Sequence, residues 1–276
     1  MKMFNKVVII GTGLIGGSLG LALKKKKIAG TIFGLSKHQK NVSLAKKIGA
    51  IDSIAKDLKV VGGADLVILA TPVEAIIDIA SKIKGKLKKD CIVIDVGSTK
   101  EKIVSKLSSV IPNFVGCHPL AGSEKRGIVN LEGDIFTGSI CIITPTVLTN
   151  KRALSKIKVF WGKLGTKVFI ISPKNHDQAL ASTSHLPHAL AFNLISSIPE
   201  KFLKLSSNSL RDVTRISGSD PNLWCQIFLS NRNNLLSAIT SFQKKFTVFK
   251  LALENKDKAL LMKILKKSNK QRERLG

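Results

Sequence analysis

The chain has 276 residues, 44% of them hydrophobic, which is enough for one large or two medium domains with a buried core. No apolar run reaches the roughly 20 residues of a transmembrane helix, and the N-terminus lacks the layout of a secretory signal, so we predict a cytoplasmic protein with no membrane partner. The net charge of +27 comes from lysines spread over the whole sequence with few aromatic residues between them, which favours solvated helix faces over a nucleic-acid partner.

The first predicted elements are a strand, a glycine-rich turn and a helix. A short apolar run at 7–10 predicts a buried parallel strand, and the sequence GTGLIG follows it directly. In this pattern Gly11 makes the tight turn, Gly13 lets the backbone approach a pyrophosphate, and Gly16 lets the helix pack closely on the sheet. The helix N-terminus offers free N–H groups to the phosphates. We therefore predict a dinucleotide site formed by Gly11, Thr12, Gly13, Leu14, Ile15 and Gly16.

The second predicted strand, residues 31–35, is followed by Ser36. In the NAD version of this arrangement an acidic residue at this position holds the ribose hydroxyls. Here Ser36 carries no charge to repel a 2′-phosphate, and Lys37 is a cation that can bind one. The pair favours NADP+. The alternative is that Lys37 is an ordinary surface lysine and that NAD+ is used.

Strands and helices continue to alternate as far as residue 172. Further strands are predicted at 65–70, 91–95, 113–117, 140–143 and 167–171, and further helices at 42–48, Val73–Ile83 and 151–164. Thr71 and Pro72 form a tight, polar turn at the carboxyl end of the third predicted strand. Ligands bind at such ends in open α/β sheets, so both residues join the predicted cofactor site.

Only helical patterns follow that point, with helices predicted at 176–198, 202–216, 222–251 and 256–267. We therefore predict an α/β fold with a Rossmann-type dinucleotide-binding domain over residues 1–172, followed by an all-α domain over 173–276. Long apolar helices without a sheet of their own need a partner surface, so we expect the second domain to help bind substrate and to form a homodimer.

Several candidate catalytic residues follow predicted strands or open the helical region. Ser98 follows the fourth predicted strand, His118 follows the fifth, and His176 opens the helices. Polar residues at strand ends, facing a polar helical wall, predict a closed substrate pocket. The four cysteines are scattered without a CxxC pair, which favours reduced thiols and predicts neither a zinc site nor a disulfide framework.

Six motifs in one order resemble those of the prephenate dehydrogenases and their arogenate-using relatives, which are oxidative decarboxylases of tyrosine biosynthesis. The motifs are GTGLIGGSLG, DVGSTK at 95–100, GCHPLAGSEKRG at 116–127, HD at 176–177, SHLPH at 184–188 and DVTRISGSDPNLW at 212–224. The resemblance covers nearly the whole chain. It implies that prephenate is oxidised and decarboxylated to 4-hydroxyphenylpyruvate while a hydride passes to NAD+ or NADP+.

The resemblance also implies catalytic roles. A neutral imidazole can accept the proton of the substrate 4-hydroxyl, and the position of His118 at a strand end makes it the expected base. The alternative is a histidine bonded to backbone in a loop. Ser98 matches the family's serine near the same hydroxyl, and it could also cap a helix over 99–107.

Four further residues are implied in substrate binding. Arg215 matches an arginine that holds a substrate carboxylate, with a salt bridge inside the helical domain as the alternative. His188 matches a histidine at the pyruvyl end, which arogenate-preferring relatives can lack, so it favours prephenate. Ser123 matches a hydroxyl position that could bond substrate or cap the next helix. His176 is the weakest of these candidates, because it could serve only to shape the domain junction.

Two other functions stay open at this point. One is an NADP-dependent arogenate dehydrogenase that makes tyrosine directly, favoured by Ser36 and Lys37 but opposed by the SHLPH motif. The other is a basic protein without catalytic activity that senses nucleotides or binds nucleic acid. It would explain the charge of +27 but leaves His118 and Arg215 without a role.

Overall fold

The computed structural model of the chain describes residues 2–121 and 135–275. The chain forms two compact units, Met1–Asn231 and Arg232–Gly276. The first contains the sheet and the helices that precede Arg232, and the second contains the two C-terminal helices. The predicted division into domains at 172/173 stays a prediction.

One mixed sheet organises the first unit. Its strands are β1 (Phe4–Ile10), β2 (Ala29–Leu35), β3 (Ser53–Ile54), β4 (Leu66–Leu69), β5 (Ile92–Asp95), β6 (Phe114–Leu120), β7 (Ile140–Thr144) and β8 (Lys167–Ile170). Their order in the described residues is β3-β2-β1-β4-β5-β6-β7-β8. Neighbours from β3 to β6 run parallel, β7 is antiparallel to β6, and β8 is parallel to β7.

β1 lies between β2 and β4, so the direction of strand succession reverses at β1. Ile10, its last residue, pairs with Leu35 of β2 and with Leu69 of β4. The turns that follow these three strands therefore open at one edge of the sheet. Ligands of open α/β sheets bind at this switch point.

Helices cover both faces of the sheet because its central strands are apolar on both sides, as parallel strands usually are. The helices of this part are α1 (Leu14–Lys25), α2 (Gln39–Lys47), α3 (Val73–Ile83), α4 (Glu101–Leu107) and α5 (Lys151–Lys163). Leu19 of α1 and Trp161 of α5 belong to the buried cluster on one face, and Ile76 of α3 and Val104 of α4 to the cluster on the other. The predicted α/β class is confirmed.

The remaining helices follow the sheet. They are α6 (Pro173–Leu180), a π-helical turn (Ala181–His185), α7 (Leu186–Ser196), α8 (Asn208–Thr214) and α9 (Pro221–Ser230) in the first unit, and α10 (Arg232–Glu254) and α11 (Lys258–Glu273) in the second. Within 2–121 and 135–275, no helix combines the length and the apolar character needed to cross a membrane.

The structure corrects the predicted single helix over 222–251, which ends at Ser230 and resumes at Arg232. The interruption is Asn231, whose backbone leaves the helical region with φ −115° and ψ 29°. Its side-chain amide donates to the carbonyl oxygen of Asp177 at 2.7 Å. A tertiary hydrogen bond thus replaces helix continuity at this position.

The predicted strand at 113–117 was also too short, because β6 continues to Leu120. Its last residues pair with β7, where His118 opposes Ile142 and Pro119 opposes Cys141. Pairing with β5 has ended by then at Gly116, so the missing N–H of Pro119 falls where β6 has a neighbour on one side only. His118 therefore lies inside a strand rather than after one.

Candidate active site

The glycine turn after β1 depends on two close backbone approaches. Gly11 has a φ of +98°, and a Cβ on it would lie 2.4 Å from the carbonyl oxygen of Ala70. A Cβ on Gly16 would lie 1.9 Å from the carbonyl oxygen of Gly11, so α1 can follow the turn only without a side chain there. At Gly13, by contrast, an added Cβ would meet no described atom within 4 Å. The turn is therefore closely packed at Gly11 and Gly16 and has free space beside Gly13 among the described residues.

The open side of this turn fits a dinucleotide. α1 begins at Leu14 after Gly13, and no side chain caps it in the described residues, so its first N–H groups are available to phosphate oxygens. The hydroxyl oxygens of Thr12 and Thr71 are buried and have no hydrogen-bond partner in the part of the chain that the structure describes. A buried hydroxyl without a partner is costly, and a bound polar ligand would supply one.

The turn after β4 borders the glycine turn. Thr71 and Pro72 lie between β4 and α3, where Pro72 is the N-cap residue. A Cβ on Gly11 would lie 2.9 Å from the methyl carbon of Thr71. The structure therefore brings these two predicted cofactor residues together with the glycine turn.

Ser36 and Lys37 follow β2, as predicted. The carbonyl oxygen of Leu35 accepts the Gly11 N–H at 2.8 Å, which fixes this end of β2 beside the glycine turn. The hydroxyl of Ser36 accepts the N–H of His38 at 3.2 Å, and the side chain of Lys37 is exposed. The described geometry leaves the Lys37 ammonium accessible to an anion.

A buried ion pair lies at the carboxyl end of β5. The Lys100 ammonium donates to Asp95 Oδ2 and, at 2.9 Å, to the carbonyl oxygen of Cys117. Asp95 Oδ2 also accepts the N–H of Gly97 at 2.9 Å, and both charged side chains are fully buried. Burial raises the pKa of Asp95, while the Lys100 ammonium opposes that shift. The pair joins the turn that contains Ser98 to the residue preceding His118.

Three side chains form one hydrogen-bonded chain. His118 Nδ1 lies 2.8 Å from His176 Nε2, and His176 Nδ1 lies 2.7 Å from Asp177 Oδ1. Burial lowers the pKa of His118 well below its usual range, and nearby His176 and Lys100 lower it further. Burial also lowers the pKa of His176, against the hydrogen bond from Asp177. Both imidazoles are therefore neutral at pH 7, and His118, which is half-buried, has the protonation state of a base.

Asp177 also holds the N-terminus of α4. Its Oδ1 accepts the Lys100 N–H at 2.7 Å and its Oδ2 accepts the Glu101 N–H at 2.9 Å. The alternative in which Ser98 caps a helix over 99–107 is wrong, because α4 begins at Glu101 with Lys100 as its N-cap residue. The cap is a carboxylate from 77 residues further along the chain.

Ser98 itself lies half-buried in the turn between β5 and α4. Among the described side chains, none forms a hydrogen bond that links Ser98 to His118. Its contact with substrate or nicotinamide stays a prediction. Ser123 lies outside the described residues, so its predicted role is also open.

His185 is held neutral by burial and by its partner. Burial lowers its pKa to about 4. The side-chain amide of Asn231 donates to His185 Nδ1 at 3.1 Å, which leaves the proton of this imidazole on Nε2. His185 also contributes to the lowered pKa of His118. Through His185 and Asn231, the polar network around His118, His176 and Asp177 thus extends to the C-terminus of α9.

His188 stacks on an indole ring. The rings of His188 and Trp224 have centroids 3.5 Å apart and an interplanar angle of 20°. His188 Nδ1 donates to the carbonyl oxygen of Ser184 at 2.9 Å, which leaves Nε2 as a hydrogen-bond acceptor while the ring is neutral. Arg215, an exposed residue that follows α8, is close enough to lower the pKa of His188. Arg215 and His188, both predicted to bind substrate, therefore lie within electrostatic reach of each other.

Sequence reasoning missed three residues of this site: Lys100, Asn231 and the stacking role of Trp224. Lys100 is one of 45 Lys and Arg residues, and nothing local in the sequence marks it as buried. Asp177 follows His176 in the HD motif, and a carboxylate beside a histidine is a sequence signal for an oriented imidazole. In residues 2–121 and 135–275, no group of three or more His, Cys, Asp or Glu side chains is placed to hold a metal ion.

A mostly parallel sheet with an open glycine turn, neutral histidines at the same edge of the sheet and helices after it is typical of a dinucleotide-dependent dehydrogenase. The family model described as the prephenate dehydrogenase nucleotide-binding domain matches residues 19–170, and the one described as the prephenate dehydrogenase dimerization domain matches residues 172–267. The chain belongs to the prephenate dehydrogenase family, and the predicted family is confirmed.

Individual relatives agree with this assignment. A cyclohexadienyl dehydrogenase of Zymomonas mobilis is 34% identical over 99% of this chain and 96% of its own length. The crystal structure of Aquifex aeolicus prephenate dehydrogenase in complex with hydroxyphenyl propionate and NAD+ superposes with a TM-score of 0.93 and 34% identity, over 99% of this chain and 98% of that one. Synechocystis arogenate dehydrogenase gives a TM-score of 0.85 and 28% identity, over 98% and 100% of the two chains.

Proposed function

We propose that the protein is a prephenate dehydrogenase that oxidises and decarboxylates prephenate to 4-hydroxyphenylpyruvate. The observation that carries this proposal is the neutral His118, hydrogen-bonded at 2.8 Å through Nδ1 to a second imidazole at the edge of the sheet where the glycine turn opens. A bound nicotinamide dinucleotide supplies the hydride acceptor. The family membership and the relative in complex with NAD+ and hydroxyphenyl propionate support the same reaction.

In this reaction the chain's own residues accept one proton and hold the substrate in place. His118 accepts the proton of the 4-hydroxyl as the carbonyl forms, since its lowered pKa keeps it neutral before the step. The ring carboxylate leaves as carbon dioxide, and the aromatic ring that forms makes the step favourable. The protein therefore needs mainly to orient the hydroxyl and to polarise it.

A substrate carboxylate is assigned to Arg215, because a guanidinium binds a carboxylate through two parallel hydrogen bonds. His188 has Nδ1 occupied by Ser184 and its ring stacked on Trp224, so its Nε2 has a fixed direction and accepts a hydrogen bond while the ring is neutral. We assign His188 to the pyruvyl end of the substrate, because arogenate-preferring relatives can lack the matching histidine. Prephenate is therefore the proposed substrate.

An arogenate dehydrogenase is the second candidate, because an arogenate dehydrogenase is among the similar structures and a cyclohexadienyl dehydrogenase is among the similar sequences. Arogenate carries an amino group where prephenate carries a keto group. The Arg215 guanidinium disfavours arogenate by repelling its ammonium group, whereas a neutral His188 with its hydrogen on Nδ1 could accept a hydrogen bond from that group at Nε2. Rates measured side by side on the two substrates separate the candidates.

For the cofactor we propose a preference for NADP+ over NAD+. Ser36 supplies no carboxylate at the end of β2, and the Lys37 ammonium is exposed beside the glycine turn. Lys37→Glu should then weaken NADP+ and leave NAD+ nearly unaffected. The Aquifex relative in complex with NAD+ favours the alternative, so the ratio of the two KM values decides.

We also propose a homodimer through the helices after residue 172. The matching family model is described as a dimerization domain. Several large apolar side chains of the second unit are exposed within the chain, namely Leu236, Phe246, Val248, Leu251, Leu253, Met262 and Leu265. A monomer by light scattering at micromolar concentration would contradict the dimer. A cytoplasmic location and the lack of a nucleic-acid partner stay predictions.

The direct experiment is to mix the purified protein with prephenate and, separately, NAD+ or NADP+, and to follow the absorbance of the reduced nicotinamide. His118→Asn should lower kcat by about 100-fold or more, the usual contribution of a general base, with both KM values largely kept. No reduction with prephenate or arogenate and either cofactor would refute the proposed function.

A further inference from the structure

We propose that Asp177 is a positioning residue that acts through His176 to keep the proton-accepting lone pair of His118 on Nε2. This inference rests on the proposed function for its catalytic consequence. Its structural part, the tautomer of His118, stands without it. Nothing in the sequence pattern assigned Asp177 more than a place at the domain junction.

The carboxylate of Asp177 can only accept hydrogen bonds. Its two oxygens face the backbone N–H groups of Lys100 and Glu101 at 2.7 and 2.9 Å. Backbone N–H groups cannot reverse their role, so both oxygens of this carboxylate are held in place as hydrogen-bond acceptors. The third group that it meets, His176 Nδ1 at 2.7 Å from Oδ1, must therefore carry a hydrogen.

The hydrogen on His176 Nδ1 determines the tautomers of both imidazoles. His176 is fully buried and neutral, so with a hydrogen on Nδ1 it has a lone pair on Nε2. His118 Nδ1, 2.8 Å from that lone pair, must be the donor of the next hydrogen bond. A neutral His118 with its hydrogen on Nδ1 has its lone pair on Nε2. The carboxylate thus sets the tautomer of an imidazole two hydrogen bonds away.

The hydrogen bonds between His118, His176 and Asp177 also allow the positive charge gained by His118 to move to His176. When His118 Nε2 takes the proton of the substrate hydroxyl, the Nδ1 proton of His118 can pass to His176 Nε2. His176 then becomes the cation, with its Nδ1–H still bonded to Asp177, and His118 returns to neutrality. One proton enters at Nε2 of His118 and one moves between the rings, so atoms and charge balance.

The neighbouring charged groups favour a positive charge on His176 over one on His118. Lys100, His176 and His185 all oppose a positive charge on His118. The carboxylates of Asp177 and Asp95 favour a positive charge on His176, which Lys100 opposes. Asp177 is the carboxylate that touches His176, and two backbone N–H groups at the N-terminus of α4 hold it there.

Two single variants and their combination test the proposal. The Asp177→Asn variant has one accepting side-chain oxygen where the wild type has two. The His176→Gln variant removes the imidazole that connects Asp177 to His118 but leaves the Asp177 cap on α4 intact. We expect each to lower kcat by about 100-fold with both KM values little changed, and the double variant to lose no more than either. Losses that multiply in the double variant, or full activity in His176→Gln, would show that Asp177 serves only as a helix cap and overturn the proposal.

A matched control separates the loss of a cap from the loss of a tautomer. The Asp57 carboxylate also caps a helical turn, by accepting the Lys59 N–H at 2.7 Å, but it is exposed and outside the site. Asp57→Asn should leave kcat and its pH profile unchanged. In Asp177→Asn the acidic limb of the kcat profile should move to lower pH, because the carboxylate that favours protonation of His176 is gone.

Nitrogen NMR of isotope-labelled histidine gives a readout that needs no substrate. The wild type should show His118 and His176 with their hydrogen on Nδ1, whereas His185 should carry it on Nε2. In Asp177→Asn the pattern of His118 should change. A wild-type His118 with its hydrogen on Nε2 overturns the inference even if the enzyme is active. A wild type that is inactive on both substrates but shows the expected tautomers refutes the proposed function alone.

Discussion

The buried ion pair between Lys100 and Asp95 allows the sharpest test of how the site is held together. We consider Lys100→Met, which keeps an unbranched apolar side chain of similar length and removes the ammonium. The variant leaves the buried carboxylate of Asp95 with backbone donors alone, the N–H of Gly97 at 2.9 Å and that of Cys117. It also leaves the carbonyl oxygen of Cys117 without its donor.

The expected loss of stability is about 3–5 kcal/mol, the usual cost of removing one partner of a buried pair. The loss should depend on pH. Burial without the ammonium raises the pKa of Asp95 above its unfolded value of about 3.9, so the folded variant keeps its proton longer than the unfolded chain does. Its free energy of unfolding is therefore highest below that value and falls as the pH rises toward the folded pKa.

Urea unfolding followed by circular dichroism across this pH range measures the effect. Lys88→Met is the matched control, since its ion pair with Asp65 is partly exposed and should contribute less than about 1 kcal/mol. Lys100→Met combined with Asp95→Asn should recover much of the lost stability, because no charge then stays buried alone. A Lys100→Met variant as stable as the wild type, or a double variant that loses the sum of both effects, would refute this account.

Three further predictions concern the turn, the stacked ring and a buried imidazole. Gly16→Ala should unfold or strongly destabilise the protein, whereas Gly13→Ala should keep its melting temperature and weaken cofactor binding, as dye-based melting with and without cofactor would show. Trp224→Leu should raise the substrate KM about fivefold by removing the stack on His188, worth about 1 kcal/mol, and leave the cofactor KM unchanged. Because His185 binds its proton only near pH 4 when folded and near 6.5 when unfolded, stability should fall as the pH drops through that range, and His185→Gln should flatten the slope in urea unfolding.

Local sequence patterns were sufficient for the elements of the nucleotide-binding part. α3 has the predicted bounds, Val73–Ile83, because a proline before it and an apolar periodicity within it mark both ends. The glycine turn falls between β1 and α1, since each glycine there meets a steric demand of the turn itself. The strand β3 was not predicted, because two residues, Ser53 and Ile54, are too few to show an alternation of apolar and polar side chains.

The site was predicted less completely, for reasons of distance along the chain. His118 and His176 were both identified as candidates, but their hydrogen bond joins positions 58 residues apart. The cap of Asp177 on α4 and the break of a helix at Asn231 depend on contacts that no local pattern records. The sequence could not show that Lys100 is buried, because this chain has many lysines on its surface. Lys100 becomes buried only through the tertiary structure.

The π-helical turn at Ala181–His185 joins α6 and α7 with one residue more than an ordinary helical turn would hold. Because the wider turn takes up this extra residue, α6 and α7 keep the angular relation of one continuous helix on either side of it. Deleting Thr183 would restore regular winding and leave His176 and His188 facing as before. The change would fall on the turn itself, whose last residue, His185, accepts from the Asn231 amide. An inserted residue of this kind thus changes the lining of a site locally without turning the helices that hold its other residues.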